Sequence, residues 1–367
     1  FGIRMVDRLT GKPVHLDISD LPMKNGTITN RNKFILGPSG SGKSFFTNHM
    51  VRQYYEQGAH VLLVDTGNSY QGLCSLIHAR THGEDGIYFT YEEDNPIAFN
   101  PFYVEDGVFD IEKKESIKTL ILTLWKRDDE PPTRAEEVAL SNAVNLFLEK
   151  IRQDVFNFLN VLEPYYRGGE YDYLLNSDKQ LDLLSKRFIV FELDNIKDNK
   201  VLFPIVTIII METFINKMRK LKGVRKMILL EEAWKAISKE GMAEYLKYLF
   251  KTVRKFFGEA VVVTQEVEDI ISSSIVKGTI INNSDCKILL DQRKYVKANN
   301  PSRKYKEVWI GLGGTQSAVY ATEVSLEEYY CYTTEETEKL ELFRLSEKLG
   351  GNIELAIKQL AESKREK

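Results

Sequence analysis

Residues 37–44 read Gly37-Pro38-Ser39-Gly40-Ser41-Gly42-Lys43-Ser44, a G-x-x-x-x-G-K-S spacing. Glycines in that spacing let the backbone turn so that successive N–H groups face one anion. Lys43 is placed to reach the β- and γ-phosphates, and the Ser44 hydroxyl to hold Mg²⁺. The motif has force only between a strand and a helix. Both are expected, because the short run Lys33-Phe34-Ile35-Leu36 precedes it and Phe45, Phe46, Met50 and Val51 follow at helix-like spacing. A helix starting near Lys43 adds its positive end to the same spot. Binding of a nucleoside triphosphate is the chemistry these eight residues predict.

Phosphoryl transfer also needs a metal-holding acid and a group that orients water. Met227-Ile228-Leu229-Leu230 runs directly into Glu231 and Glu232. We assign Glu231 to the Mg²⁺ shell and Glu232 to the general base; the plainer reading is two solvated acids after a core strand. One strand later, Ala260-Val261-Val262-Val263-Thr264 carries Gln265 to the same kind of position. Its amide, donor and acceptor in one group, suits contact with the γ-phosphate or the lytic water. An arginine facing the developing charge is often supplied by a neighbouring copy. Arg254 is the first candidate and Arg293 the second, against the plain reading of arginines on exposed helix ends.

The elements that must position these groups are legible from periodicity. Val61-Leu62-Leu63-Val64-Asp65 is an apolar run ending in an acid, as expected of a buried parallel strand. Strand, loop, helix and strand make one βαβ unit, and ligands bind at the edge where Asp65 sits. Asp65 either joins the site or caps the turn at Thr66-Gly67-Asn68. Further strands are expected at Phe188–Leu193 and Lys287–Leu290, with a hairpin over Trp309–Val324 broken at Gly311-Leu312-Gly313-Gly314. Helices are expected over about 201–221 and 242–255. The fold class is therefore α/β, with a mainly parallel sheet.

Between about 105 and 185 the pattern turns helical. Ile117, Leu120, Ile121, Leu124 and Trp125 fall at helical spacing. Pro131-Pro132 breaks that run, and Thr133, with Glu136 three residues on, reads as the cap of a second helix. The expected organisation is a first core part with a small β entry segment at 1–104, an all-α insertion at 105–185, a second core part at 186–332 and terminal helices at 333–367.

Composition narrows the function classes. The 367 residues carry a net charge of −3, so no global basic field recruits nucleic acid. DNA remains a conceivable partner through the cluster Lys217, Arg219, Lys220, Lys222, Arg225 and Lys226, although these also fall where cations complement a helix C-terminus, and a solvated charged face is the expected reading. Tyr165–Tyr173 mixes aromatics with few bases and reads as a loop packed on the insertion more readily than as a stacking platform for single strands. Cys74, Cys286 and Cys331 lack the spacing of a disulfide framework or zinc site. The five histidines all precede residue 83 at no metal-ligand spacing, so Mg²⁺ is the one metal expected. A chain opening on Phe1 is expected to be a piece of a longer protein.

Gly37–Ser44, Leu229-Leu230-Glu231-Glu232-Ala233-Trp234, Arg254-Lys255 and Thr264-Gln265 occur in the order and spacing of the HerA/FtsK-like ATPases. More narrowly, the chain resembles TraG/TraC-type ATPases of conjugative type IV secretion systems, over essentially its whole length. Two places depart by being shorter, around Ile151–Asn160 and near Tyr295–Asn299. The resemblance implies a RecA-like P-loop core with an inserted all-α subdomain. It also implies ATP hydrolysis in a ring, expected to be a homo-hexamer. Attachment to inner-membrane channel components on the cytoplasmic face is implied as well. Two rival functions are a DNA-translocating motor of the FtsK or coupling-protein kind and an ATP-binding structural ring with little turnover.

Overall fold

The computed structural model describes residues 1–90, 111–126, 132–149, 168–169, 183–199, 202–232, 240–265, 277–290 and 306–365. Arg293, Ala233-Trp234, nearly all of Tyr165–Tyr173 and both shortened places lie outside the described residues.

Eleven strands are present among the described residues: β1 Ile3–Asp7, β2 Pro13–Leu16, β3 Lys33–Leu36, β4 His60–Asp65, β5 Ile87–Thr90, β6 Phe188–Glu192, β7 Lys226–Glu231, β8 Gly258–Thr264, β9 Cys286–Leu290, β10 Lys306–Leu312 and β11 Gln316–Thr322. They form one sheet in the order β2-β1-β11-β10-β9-β3-β8-β7-β4-β6-β5. From β9 to β5 every neighbouring pair is parallel. The remaining strands add an antiparallel flank through β10. The α/β class with a mainly parallel sheet is thus what the chain adopts.

The parallel strands are near-continuous apolar runs because helices cover both faces. Alternate residues serve opposite faces. Leu62, Val64, Ile228, Leu230 and Val262 join a core with the Leu202–Lys220 helix and with Leu246, Leu249 and Phe250. Val61, Leu63, Met227, Leu229 and Val263 join a second core with the Lys43–Glu56 and Gln71–Arg80 helices and the terminal helices. Each such side chain, fully buried, contributes about 1.5–3 kcal/mol. A one-residue slip of a central strand would exchange its two faces.

In the helical stretch, Ile117 and Ile121 meet Leu140 and Val144 in a small separate cluster. Thr133 caps the second helix as its spacing predicts: Glu136 Oε2 accepts from Thr133 N at 2.8 Å, and Thr133 Oγ1 accepts from Glu136 N at 3.3 Å. Lys113 is ion-paired to Glu212 of the Leu202–Lys220 helix, tying the first of these helices to the core.

Three expectations are corrected. The β10–β11 turn falls at Gly313–Thr315, because Gly311 pairs with Lys287 and Ser317 inside the ladders. The helix expected over 242–255 is Glu240–Thr252, and a 3₁₀ turn at Val253–Phe256 leads into β8. The basic cluster is not one solvated helix end. Lys217 is buried and donates to Leu184 O and Lys186 O, and Arg225 pairs with Asp20 and with Glu259 at 3.1 Å. Lys226 donates to Leu221 O. Glu259 also takes the ammonium of Lys33, so the sheet edge opposite the phosphate loop is closed by a buried ion network. Removing one partner from such a network costs about 3–5 kcal/mol.

Sequence reading passed over the Gln71–Arg80 helix, β5 and the Leu326–Tyr332 helix. The last is seven residues long and declares itself by the Ser325–Glu328 capping box.

Candidate nucleotide site

All parallel strands point their C-terminal ends at one edge, so the loops that follow them converge there. That edge carries residues 37–42 after β3, Glu231 and Glu232 at the end of β7, Gln265 after β8, and Asp65 and Glu192 at the tips of β4 and β6. Because β8 lies between β3 and β7, the phosphate loop and the paired acids flank one strand. Gly37 N donates to Thr264 O and Glu232 N to Val263 O, each at 3.2 Å, which pins both loops to β8.

The loop turns through left-handed backbone at Gly40 (φ 74°) and Gly42 (φ 89°), where a side chain would be strained. Gly42 then opens the Lys43–Glu56 helix. Lys43 is buried and donates to Pro38 O of its own loop at 3.2 Å. Burial holds its pKa below the usual lysine value, against the pull of Glu232 and Glu231. Ser41 Oγ is buried and finds no hydrogen-bond partner among the described residues. A buried cation, an orphaned hydroxyl and a helix N-terminus together form a donor set that fits a triphosphate.

Ser44 Oγ donates to Glu231 Oε1 at 2.8 Å. Glu231 is buried, and its pKa is raised to about 7 by desolvation and then by the charge of Asp65, opposed by Tyr70, Ser44 and Lys43. A hydroxyl and a carboxylate side by side beneath the phosphate loop are a hard oxygen pair that fits Mg²⁺, which binds through few protein oxygens and substrate phosphates. Glu232 is half-buried and takes left-handed backbone (φ 54°), a conformation unusual for a non-glycine residue and of a kind that clusters at active sites.

Gln265 is exposed at the mouth of the same edge. Arg254 is exposed too, but it precedes β8, whereas the phosphate loop follows the parallel β3. The seven residues of β8 separate the two edges by roughly 20 Å at strand rise. Arg254 therefore does not reach the phosphate loop of its own chain.

Asp65 caps its turn. Its carboxylate accepts from the N–H groups of Thr66, Gly67 and Ser69. Burial and the charge of Glu192 hold its pKa far above the usual carboxylate range. Glu192 accepts from Asn68 N at 2.7 Å, so the two acids clamp one loop from below. Residues that motif reading missed follow from that loop. Ser69 Oγ lies 3.4 Å from Ser44 Oγ, and the Tyr70 hydroxyl donates to Glu231 Oε2. Nothing in the spacing of Ser69 and Tyr70 announces them; only the fold of the β4 loop brings them over.

A family model described as the TraG P-loop domain matches residues 2–156, 152–298 and 296–364. The type IV secretion system protein VirB4 of Bartonella quintana is 23% identical over 280 residues, covering 72% of this chain and 34% of the relative. The chain thus spans about a third of that curated relative's length. Among solved structures, VirB4 of Thermoanaerobacter pseudethanolicus superposes with a TM-score of 0.64 at 20% identity, covering 89% of this chain and 97% of that one. The plasmid coupling protein TrwB in complex with ADP and Mg²⁺ does so at 0.52 and 13% identity, covering 92% and 96%. These likenesses show that the fold is that of P-loop ATPases.

Proposed function

The chain belongs to the TraG P-loop domain family, and from that membership we propose that it is an ATPase that energises a conjugative type IV secretion channel. The observation that supports this most directly is the Ser44–Glu231 contact beneath a phosphate loop whose lysine is buried at a helix N-terminus. The secretion role rests on the relative named as a type IV secretion protein.

In this reading the loop Gly37-Pro38-Ser39-Gly40-Ser41-Gly42-Lys43-Ser44 cradles the triphosphate through the N–H groups of Ser39, Gly40, Gly42, Lys43 and Ser44. Pro38, which has no N–H, and Gly37 and Ser41, whose N–H groups go to Thr264 O and Pro38 O, shape the turn. Lys43 leaves Pro38 O for the β- and γ-phosphates. Ser44 and Glu231 hold Mg²⁺, which when bound offsets charge on the phosphate oxygens. Glu232 takes a proton from the attacking water as the new P–O bond forms and the β–γ bridge breaks, releasing ADP and phosphate. Gln265 orients that water or the γ-phosphate.

Arg254 acts on the site of a neighbouring copy in a ring, a homo-hexamer in our reading. The ring works against inner-membrane channel components on the cytoplasmic face. Residues 1–104 and 186–332 make the core, 105–185 an all-α insertion and 333–367 a terminal helical unit. No helix among the described residues is long and apolar enough to cross a membrane. The DNA-motor reading draws less support, since Lys217, Arg225 and Lys226 are committed to internal partners.

Glu232→Gln tests the chemistry. It is expected to bind ATP as the wild type does while turnover falls at least ~100-fold, the scale of a positioned acid–base group. Turnover within a few-fold of wild type would sink the assignment.

A further inference from the structure

We propose that Tyr70 is a positioning residue for the metal-holding carboxylate, fixing Glu231 by its second oxygen while Ser44 holds the first; this rests on the reading of Glu231 given above. Tyr70 is fully buried at the start of the Gln71–Arg80 helix. Its hydroxyl donates to Glu231 Oε2, and its oxygen lies 2.8 Å from Thr47 Oγ1. Thr47 Oγ1 in turn donates to Ser44 O at 3.0 Å. Tyr70 and Ser44 thus each give their single proton to a different oxygen of Glu231, and the Thr47 hydroxyl lies beside the Tyr70 oxygen.

The tyrosine is itself held. Asp65 accepts from Ser69 N, and Asn48 Nδ2 donates both to Ser69 O at 3.0 Å and to Ser44 O at 2.8 Å. The 65–70 loop is thus locked to the first turn of the phosphate-loop helix, and Tyr70 has one place to put its hydroxyl.

The need for such a brace follows from the residue type. Glutamate has one more rotatable bond between backbone and carboxylate than aspartate, so its oxygens sweep a larger volume unless both are restrained. A donor on each oxygen removes that freedom before the metal arrives. Outer partners of this kind typically change metal affinity 10–100-fold when lost. Tyr70→Phe removes one oxygen, keeps the ring in its core, and leaves Thr47 its bond to Ser44 O.

The test is a Mg²⁺ titration of the binding of a non-hydrolysable ATP analogue to the whole chain, with parallel binding in EDTA and thermal melts. Wild type, Tyr70→Phe and Glu231→Gln are compared. We expect Tyr70→Phe to raise the Mg²⁺ midpoint at least about tenfold, with analogue affinity in EDTA within about twofold and melting unchanged. Equal weakening with and without Mg²⁺, or a lowered melting point with an unmoved midpoint, would make Tyr70 merely structural and overturn the proposal. An unmoved midpoint in Tyr70→Phe beside a large shift in Glu231→Gln would overturn it and leave the site reading standing. Unmoved midpoints in both variants would remove Glu231 from the metal site and take the site reading down as well.

Discussion

Ser44 Oγ reaches Glu231 Oε1 at 2.8 Å although 187 positions separate the two residues in the chain. One stands in the first turn after β3 and the other at the tip of β7, with β8 between. Three parallel strands ending on one edge are enough to bring them together. The contact brings together a hydroxyl and a carboxylate, the hard oxygen pair that we propose holds magnesium.

That contact predicts coupled behaviour. Ser44→Ala and Glu231→Gln should each weaken Mg²⁺-dependent nucleotide binding by at least about tenfold while sparing binding in EDTA. Because they share one hydrogen bond, the double variant should lose less than the sum, with an interaction energy of about 0.5–3 kcal/mol. Calorimetric titration of all four proteins checks it, and strict additivity would mean that the residues act separately.

Arg254 gives a prediction about assembly. Its place on the edge opposite its own phosphate loop means that a catalytic role requires a second copy. Specific ATPase activity should then rise with protein concentration in step with oligomer size, and Arg254→Ala should bind ATP yet stay at least ~10³-fold less active in the assembly, the scale of a supplied arginine. Activity independent of concentration, with a neutral Arg254→Ala, would count against the ring.

His60 sets an acid limit on stability. It opens β4 with Nδ1 3.5 Å from Lys217 Nζ, and burial, then the charges of Lys217 and Arg187, push its pKa from 6.5 down to about 4. An unfolded chain takes up the proton near 6.5 and the folded chain only near 4, so the folded state is fully favoured above 6.5 and loses stability as pH falls through that window. With allowance for partial solvent screening, the loss is about 1–2 kcal/mol. His60→Gln should lose that much less than the wild type between pH 7.5 and 4 in urea melts. Parallel losses in the two proteins would show that His60 does not titrate this way.

The phosphate loop, the parallel core strands, the acid pair and the capped helix at Thr133 were all legible in the sequence. Each is written in local pattern: fixed spacing, an apolar run, or a capping pair three residues apart. The basic cluster misled for the same reason. Spacing alone makes Lys217, Arg225 and Lys226 look like one charged face, and only the packed sheet reveals carbonyls and Glu259 waiting beneath them.

By itself the sequence determined which groups can do chemistry here: eight residues at the spacing of a phosphate-binding loop, a hydroxyl at Ser44, carboxylates at strand tips and an amide at Gln265. Tertiary structure alone decided how they are used. It turned Asp65 to its own loop, put Arg254 out of reach of its own phosphate loop, and set Tyr70 against the far oxygen of Glu231. The reason is physical. Side-chain identity and periodicity are properties of neighbours along the chain, whereas hydrogen-bond partners and burial depend on strand order, which joins residues more than a hundred positions apart.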